Sequence, residues 1–293
     1  MRKGNNVMAE NKFYDYATGK EVRSNPEELY RQLFEHILID DLGYPKSHID
    51  IEVILQRGAK RNAEEVDIVV YNSDVHKQEN AYIIIEIETP KKKYDLQAFS
   101  YVTATTAPYC VWFAGFEKNS EGPFYHYRDL TKDPTKFMLI PTLPRYGETQ
   151  ETIGKYRKQD LKPAKALKLL FSRMYYKLYG NGPIKREENI AIEVIKMLFC
   201  KIMDEIGPED LCEFRATPVE LASADGKKAI KARIEKLYDK LLKDPDFGTM
   251  FKGERLEYDE EWIAYIVSEL QGIALMHEET NTDALGDAYE ILL

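Results

Sequence analysis

The sequence predicts an α/β (α+β) domain with a mixed central sheet over residues 1–145, followed by an all-α domain over residues 146–293. In the first half, one helical pattern precedes three strand-like runs, and a further helical pattern precedes a fourth run. In the second half, apolar residues recur only at three- and four-residue steps. Two prolines and a glycine between Pro141 and Gly147 interrupt any regular element, so we place the domain boundary there.

The elements of the first domain follow from local signals. Ser24 or Asn25 can cap a helix whose first turn holds Pro26 and two acids, and apolar residues recur at helical spacing as far as Leu38. Three strand-like, largely apolar runs follow this helix. The second and third of these runs are rich in β-branched residues and bounded by polar loops. We predict strands at residues 49–56, 65–71 and 81–88, a helix at 91–106, a buried strand at 109–116 and an edge strand at 124–127.

The second half carries five helical patterns. Their apolar residues form one stripe each, as expected for helices that pack around a common core. The predicted helices span residues 164–179, 187–205, 227–243, 260–276 and 283–293.

The charge of the chain is unevenly distributed. The net charge is −9, but residues 253–293 hold eleven acids and one base, which leaves the other residues at +1. Residues 155–177 hold eight basic residues against the single acid Asp160. That stretch can bind phosphate, or it can be the solvated face of a helix.

Composition excludes several other classes of protein. No apolar run approaches the roughly 18 residues that span a bilayer, and the basic N-terminus lacks the apolar core of a secretory signal. Three widely spaced cysteines, Cys110, Cys200 and Cys212, fit buried thiols better than a disulfide scaffold. We therefore expect a cytoplasmic protein without a membrane partner.

A group of carboxylates marks the candidate site. Glu86 and Glu88 share one face of a strand, about 7 Å apart along it, and Asp67 interrupts an apolar face of the preceding run. If the two runs form a hairpin whose loop centres on residues 75–77, Asp67 falls opposite Glu86. Carboxylates on a largely apolar strand are expected at a rim, in a pair or on a metal. This register would bring three carboxylates to one place, which suits Mg²⁺.

Such a site suits the hydrolysis of phosphodiesters. Carboxylate-held Mg²⁺ neutralises charge on the phosphate and activates a water molecule. Glu28, on the first helix, can reach such a metal through a water molecule. Equally, an acid in the first helical turn stabilises its own helix.

At these residues the sequence resembles the N-terminal nuclease domain of type I restriction enzyme R subunits. The resemblance covers residues 20–130 approximately, with its motifs in the expected order. They are Pro26-Glu27-Glu28-x-x-Arg31-Gln32, Gly43-Tyr44-Pro45, Glu52, Asp67-Ile68-Val69-Val70-Tyr71, Glu86-x-Glu88-x-Pro90 and Gln97-x-x-x-Tyr101.

The resemblance implies a PD-(D/E)xK nuclease fold that acts on double-stranded DNA with Mg²⁺, or Mn²⁺ in its place. Asp67 and Glu86 would hold the metal, and the backbone carbonyl of Ile87 would be a further ligand. The family also places a glutamate at the position of Glu28 and a glutamine at that of Gln97.

The sequence departs from the family at Glu88, where the family normally has lysine. Lysine would stabilise negative charge, whereas glutamate can act as a general base or a metal ligand. Lys91, Lys92 or Lys93 can fold back to supply the missing cation. The alternative to an active nuclease is a degenerate domain that binds DNA without cutting it.

Residues 283–293 resemble the segment that leads into the catalytic core of N6-adenine DNA methyltransferases of restriction-modification systems. The chain ends where that core would begin, so we expect a larger protein in which a methyltransferase core and a specificity domain or subunit are partners. The helical domain would then contact DNA or connect the two activities, unless it is a plain helical bundle.

Other motifs are missing from the sequence. It has no G-x-x-x-x-G-K-[ST] run and no glycine-rich loop after a strand, so we expect no site for a nucleotide or for S-adenosylmethionine. The five histidines show no zinc spacing. A third hypothesis, besides nuclease and DNA-binding module, is a scaffold whose acidic C-terminal helices bind a protein.

Overall fold

The computed structural model describes residues 13–56, 63–90, 92–116, 123–184 and 186–276, together with Gly286 and Glu290. In these residues, a six-stranded mixed sheet occupies the first half, and five of the six α-helices lie in the second half. The predicted fold class is therefore confirmed. None of the helices in the described part of the chain has the length and apolarity needed to cross a bilayer.

The first half begins with a short hairpin and a helix. Strands β1 (Phe13–Tyr14) and β2 (Glu21–Val22) pair antiparallel. Helix α1 (Pro26–His36) begins after Asn25, whose side chain accepts a hydrogen bond from the Glu28 amide at 2.7 Å. A π-helical turn (Ile37–Asp41) extends α1. The predicted helix start is confirmed, and the π turn explains why helical spacing continues beyond His36.

The sheet has the strand order β3-β4-β5-β6-β7-β8. All neighbours pair antiparallel except β5 and β6, which are parallel. The strands are β3 (Ile49–Gln56), β4 (Ala63–Tyr71), β5 (Ala81–Ile87), β6 (Tyr109–Phe113), β7 (Phe124–Tyr127) and β8 (Met138–Ile140).

Two predictions about this sheet are wrong. Residues 124–127 do not form an edge strand, because β8 pairs with them and lies at the edge itself. The predicted helix at residues 91–106 is not one long α-helix over its described residues, 92–106. A 3-10 helix (Leu96–Ala104) follows a loop instead, and its Phe99, Tyr101 and Val102 pack onto the sheet.

Both faces of the sheet are covered. On one face Ile83, Ile85 and Ile87 pack with Phe34 of α1, and on the other Ile84 packs with Phe99 and other apolar residues of the 3-10 helix. The β5 residues alternate between these two cores, as side chains of a central strand do. Glu86 therefore lies on the face of Ile84, at the end of a strand that is buried on both sides.

The second half forms its own core around five helices. They are α2 (Leu167–Asn181), α3 (Glu187–Ile206), α4 (Pro218–Leu221), α5 (Ala224–Lys243) and α6 (Glu260–Leu270). The two-residue strands β9 (Lys162–Pro163) and β10 (Ile273–Ala274) pair in parallel, a small departure from the all-α prediction. The predicted helix at residues 283–293 lies outside the described residues except at two positions.

A buried ionic group joins the two halves. The Arg173 guanidinium of α2 contacts the Asp41 carboxylate at 2.8 Å and also pairs with Glu269 of α6. All three side chains are at most 5% exposed. Because unpaired buried charges are costly, this group restrains the helical half against the end of the π turn.

Candidate active site

The β4–β5 hairpin brings Asp67 and Glu86 together. Ile68 pairs with Ile85, and Val69 pairs with Ile84, so the next step of this register sets Asp67 opposite Glu86. The two carboxyl groups share a hydrogen bond. Asp67 also accepts a hydrogen bond from the Ile87 amide at 2.7 Å. The register that the sequence predicted for this hairpin is confirmed.

The two carboxyl groups perturb each other. Burial, reinforced by the negative charge of Asp67, raises the pKa of Glu86 well above its usual range. Burial also raises the pKa of Asp67, although the Ile87 amide opposes that shift. Two adjacent, partly buried carboxyl groups resist ionising together at neutral pH without a compensating cation, so we expect the pair to share a proton. A divalent cation would displace that proton, since metal ligands must be deprotonated.

A tyrosine binds one carboxylate oxygen of Glu86. The Tyr101 hydroxyl, on the 3-10 helix, donates to Glu86 Oε1. Tyr101 is 6% exposed, so the contact is sheltered from water. The sequence showed Tyr101 only as part of a spaced pair with Gln97, and no role was predicted for it. Gln97 lies on the same 3-10 helix, but its side chain is outside the described residues.

Glu88 follows β5 and binds a lysine. The Lys92 ammonium donates to Glu88 Oε1, and this hydrogen bond is the main reason that the pKa of Lys92 is raised. The negative charges of Glu86 and Glu88 add to the same shift. Lys91, which the sequence also offered as the missing cation, lies outside the described residues. Of the two lysines that the structure describes here, Lys92 and Lys93, it is Lys92 that binds a carboxylate.

The three-carboxylate cluster expected from the sequence does not form. Among the described residues, no group of three aspartate, glutamate, histidine or cysteine side chains is arranged to hold a metal ion. Asp67 and Glu86 meet, whereas Glu88 turns to Lys92 instead. The expectation was wrong because β5 ends at Ile87, so strand alternation no longer fixes the direction of the Glu88 side chain.

A cleft of about 520 Å³ opens beside Asp67. Asp67 and residues of α1, β2, β3 and β4 line it, among them Glu28 and Arg31. The Glu28 carboxylate is buried and pairs with the Arg31 guanidinium through one oxygen. Its other oxygen accepts from the Gln32 amide nitrogen at 2.9 Å. Glu28 thus lies in the same cleft as Asp67, with both carboxylate oxygens engaged by its own helix.

Three cations of the basic stretch at residues 155–177 are engaged in local contacts. Arg157 pairs with Asp210 at 3.0 Å, Lys158 donates to the Gly207 carbonyl, and Arg173 is buried in the ionic group described above. Three of its cations therefore serve local structure, which favours the structural interpretation of this stretch over a phosphate-binding surface.

Residues 26–144 match the family model described as type I restriction enzyme R protein N terminus (HSDR_N). The match begins at the first residue of α1 and ends beyond β8, so it contains Asp67, Glu86, Glu88, Lys92 and Tyr101. No curated protein and no solved structure matched the chain.

Proposed function

We propose that this chain is the Mg²⁺-dependent DNA endonuclease module of a restriction-modification protein, with a PD-(D/E)xK nuclease fold. The partly buried Asp67–Glu86 pair carries the proposal. Two carboxyl groups forced together on a covered sheet are unfavourable unless a proton or a cation lies between them. The match of residues 26–144 to the N terminus of restriction enzyme R proteins supports DNA as the substrate of that pair.

The donor set fits a hard divalent cation. Asp67 and Glu86 would hold Mg²⁺, or Mn²⁺ in its place, with the Ile87 carbonyl as a further oxygen ligand. The bound ion would neutralise charge on the scissile phosphate and activate a water molecule. The observed Ile87 contact is made by its amide, which donates to Asp67 and so fixes one ligand in position.

The remaining side chains have separate roles. Tyr101 orients Glu86 through its hydroxyl. Glu88 would accept a proton from the attacking water, and Lys92, which binds its carboxylate, would supply the positive charge that the family's lysine provides. Glu28, whose carboxylate oxygens both bind side chains of its own helix, would reach the metal through a water molecule.

A nicking assay tests the proposal. Supercoiled plasmid is incubated with the protein in Mg²⁺ or Mn²⁺, and the relaxed form is measured over time. We expect metal-dependent nicking that is lost in Asp67→Asn and Glu86→Gln. Asp74→Asn is the matched control, because Asp74 is an exposed acid in the loop of the same hairpin.

A second candidate function is a nuclease-fold module that binds DNA without cutting it, for an attached or partner methyltransferase. The glutamate at position 88 favours it, since that position normally carries the catalytic lysine. DNA retention without nicking in either metal would select this function over the first. The segment that suggests a methyltransferase partner, residues 283–293, lies outside the described residues except at two positions.

A further inference from the structure

We propose that Arg31 is a phosphate-binding residue of the cleft and that Glu52 occupies its guanidinium in the free protein as a replaceable stand-in for DNA phosphate. The inference rests on the proposed function and deepens it, because it says how an acidic side chain keeps DNA phosphate away from the same site in the free protein. Three features of the described residues carry it: the burial of Arg31, the exposure and backbone of Glu52, and the position of both beside Asp67.

Arg31 is a buried cation with unused hydrogen-bonding capacity. Its side chain is 7% exposed, and its two terminal nitrogens bind Glu28 and Glu52. Its Nε is buried and has no hydrogen-bond partner in the described part of the chain. A guanidinium has five N–H donors in a planar fork that suits carboxylate and phosphate equally. Arg31 is therefore built to hold a second anion besides Glu28.

Glu52 is the partner that can leave. Its side chain is 57% exposed, against 3% for Glu28, and its carboxylate lies 3.0 Å from Arg31 Nη1. Glu52 is also the one non-glycine residue with positive φ, 53°, among those that the structure describes. A long side chain in this left-handed region is strained, and such strain persists where surrounding contacts impose it. The exposed contact between Glu52 and Arg31 is therefore kept although the backbone conformation of Glu52 is unfavourable.

At Glu52, the β3–β4 hairpin changes the face of the sheet on which its apolar side chains pack. Ile51 and Ile68 pair and pack in the core under α1, whereas Val66, which pairs with Val53, packs in the core on the opposite face. Glu52 lies between these two pairs, in register with Asp67. The irregular residue is thus the one whose neighbour across the hairpin is the proposed metal ligand.

The charges of the cleft explain why such a contact matters. Its lining includes six acids, Glu21, Glu27, Glu28, Glu52, Glu65 and Asp67, but only Arg23 and Arg31 as bases. A DNA phosphate that approaches Asp67 therefore meets a cleft whose lining is mostly acidic. In the free protein, the Arg31 guanidinium that could bind this phosphate is already occupied by carboxylates. Displacing the Glu52 carboxylate removes one negative charge from the path and frees a fork for the phosphate.

Binding of DNA without metal tests this inference apart from cleavage. A fluorescein-labelled duplex is titrated with the full chain in EDTA at low salt, and anisotropy is recorded. We expect Glu52→Gln to tighten binding about tenfold, which corresponds to about 1.4 kcal/mol. Glu65→Gln is the matched control. It removes the same charge from the same cleft, but Glu65 does not bind Arg31 in the structure, so we expect a gain of less than about threefold.

The gain must depend on Arg31. In an Arg31→Gln background, Glu52→Gln should improve binding no more than Glu65→Gln does. Because Arg31→Gln leaves Glu28 buried without its cation, its thermal unfolding is measured first. Arg31→Lys is measured in parallel, since lysine keeps the positive charge but lacks the planar, forked donor group of arginine. With Glu52 unchanged, Arg31→Lys should weaken DNA binding about threefold or more.

Each outcome decides one question. Equal effects of Glu52→Gln and Glu65→Gln, or a gain that survives in Arg31→Gln, overturn the inference while the nuclease proposal stands on its nicking assay. The expected gain in a protein that never nicks DNA supports the inference and overturns the enzyme. A wild-type protein and a Glu52→Gln variant that both fail to bind DNA at low salt overturn both.

Discussion

Replacing Glu35 by glutamine should flatten the dependence of stability on pH. Glu35 lies on α1, is fully buried, and accepts a hydrogen bond from the Ala17 amide at 3.0 Å. Its other oxygen and Asp15 Oδ2 are both buried without a donor. A proton on Glu35 satisfies both atoms at once. Burial, with the nearby Asp15 carboxylate, accordingly raises the pKa of Glu35 to about 9.

The magnitude follows from the pKa difference. The native state retains a proton that the unfolded chain releases near the ordinary pKa of 4.5, so stability falls as pH rises from there to about 9. Each pH unit in that window costs about 1.4 kcal/mol, which amounts to roughly 3 kcal/mol by pH 7. Glutamine keeps the acceptor for Ala17 and donates to Asp15 at every pH, so it removes this loss.

Urea denaturation at half-unit steps from pH 5 to pH 8 measures the effect. The free energy of unfolding of Glu35→Gln should rise relative to wild type by about 1.4 kcal/mol per pH unit. Glu209→Gln, which changes an exposed glutamate of a loop, should give no such slope. A pH-independent difference between Glu35→Gln and wild type would show that Glu35 ionises normally in the folded protein, and the reasoning would be refuted.

Three further substitutions test separate contacts. Tyr101→Phe removes the donor to Glu86, and nicking should slow about tenfold with little change in thermal unfolding, the loss expected for a hydrogen bond to a charged group. Lys92→Gln should slow nicking about tenfold to a hundredfold at unchanged Mn²⁺ affinity, whereas Lys93→Gln should not; equal rates for both would contradict the role of Lys92. Arg173→Met leaves two buried acids without their cation, so the free energy of unfolding in urea should fall by about 3–5 kcal/mol. A loss below about 1 kcal/mol would contradict that account.

In the first half of the chain, sequence patterns correctly predicted the strands and the hairpin register that follow from local preferences. The β-branched runs form β4 and β5, and the loop between them is centred where the sequence put it, so Asp67 and Glu86 meet in the expected register. Hairpin register is predictable here because a slip of one residue would turn the apolar face of each strand outward.

The features that sequence did not predict depend on contacts between distant parts of the chain. Tyr101 reaches Glu86 only because the 3-10 helix packs across the end of β5. Glu52 adopts positive φ beside a buried guanidinium, although neither its residue type nor its neighbours favour a turn. Strand β8 has three residues and no alternation to distinguish it from a loop. In each case tertiary packing overrides local preference.

Calorimetric titration of Mn²⁺ into the protein at pH 7, repeated in buffers of different ionisation enthalpy, tests the Asp67–Glu86 pair most directly. We expect saturable binding with release of about one proton per ion, because the ion takes the place of the proton that the pair shares. Binding and proton release should disappear in Asp67→Asn and in Glu86→Gln and persist in Asp74→Asn. Binding that is unchanged in both site variants, or no saturable binding to wild type, would contradict the account.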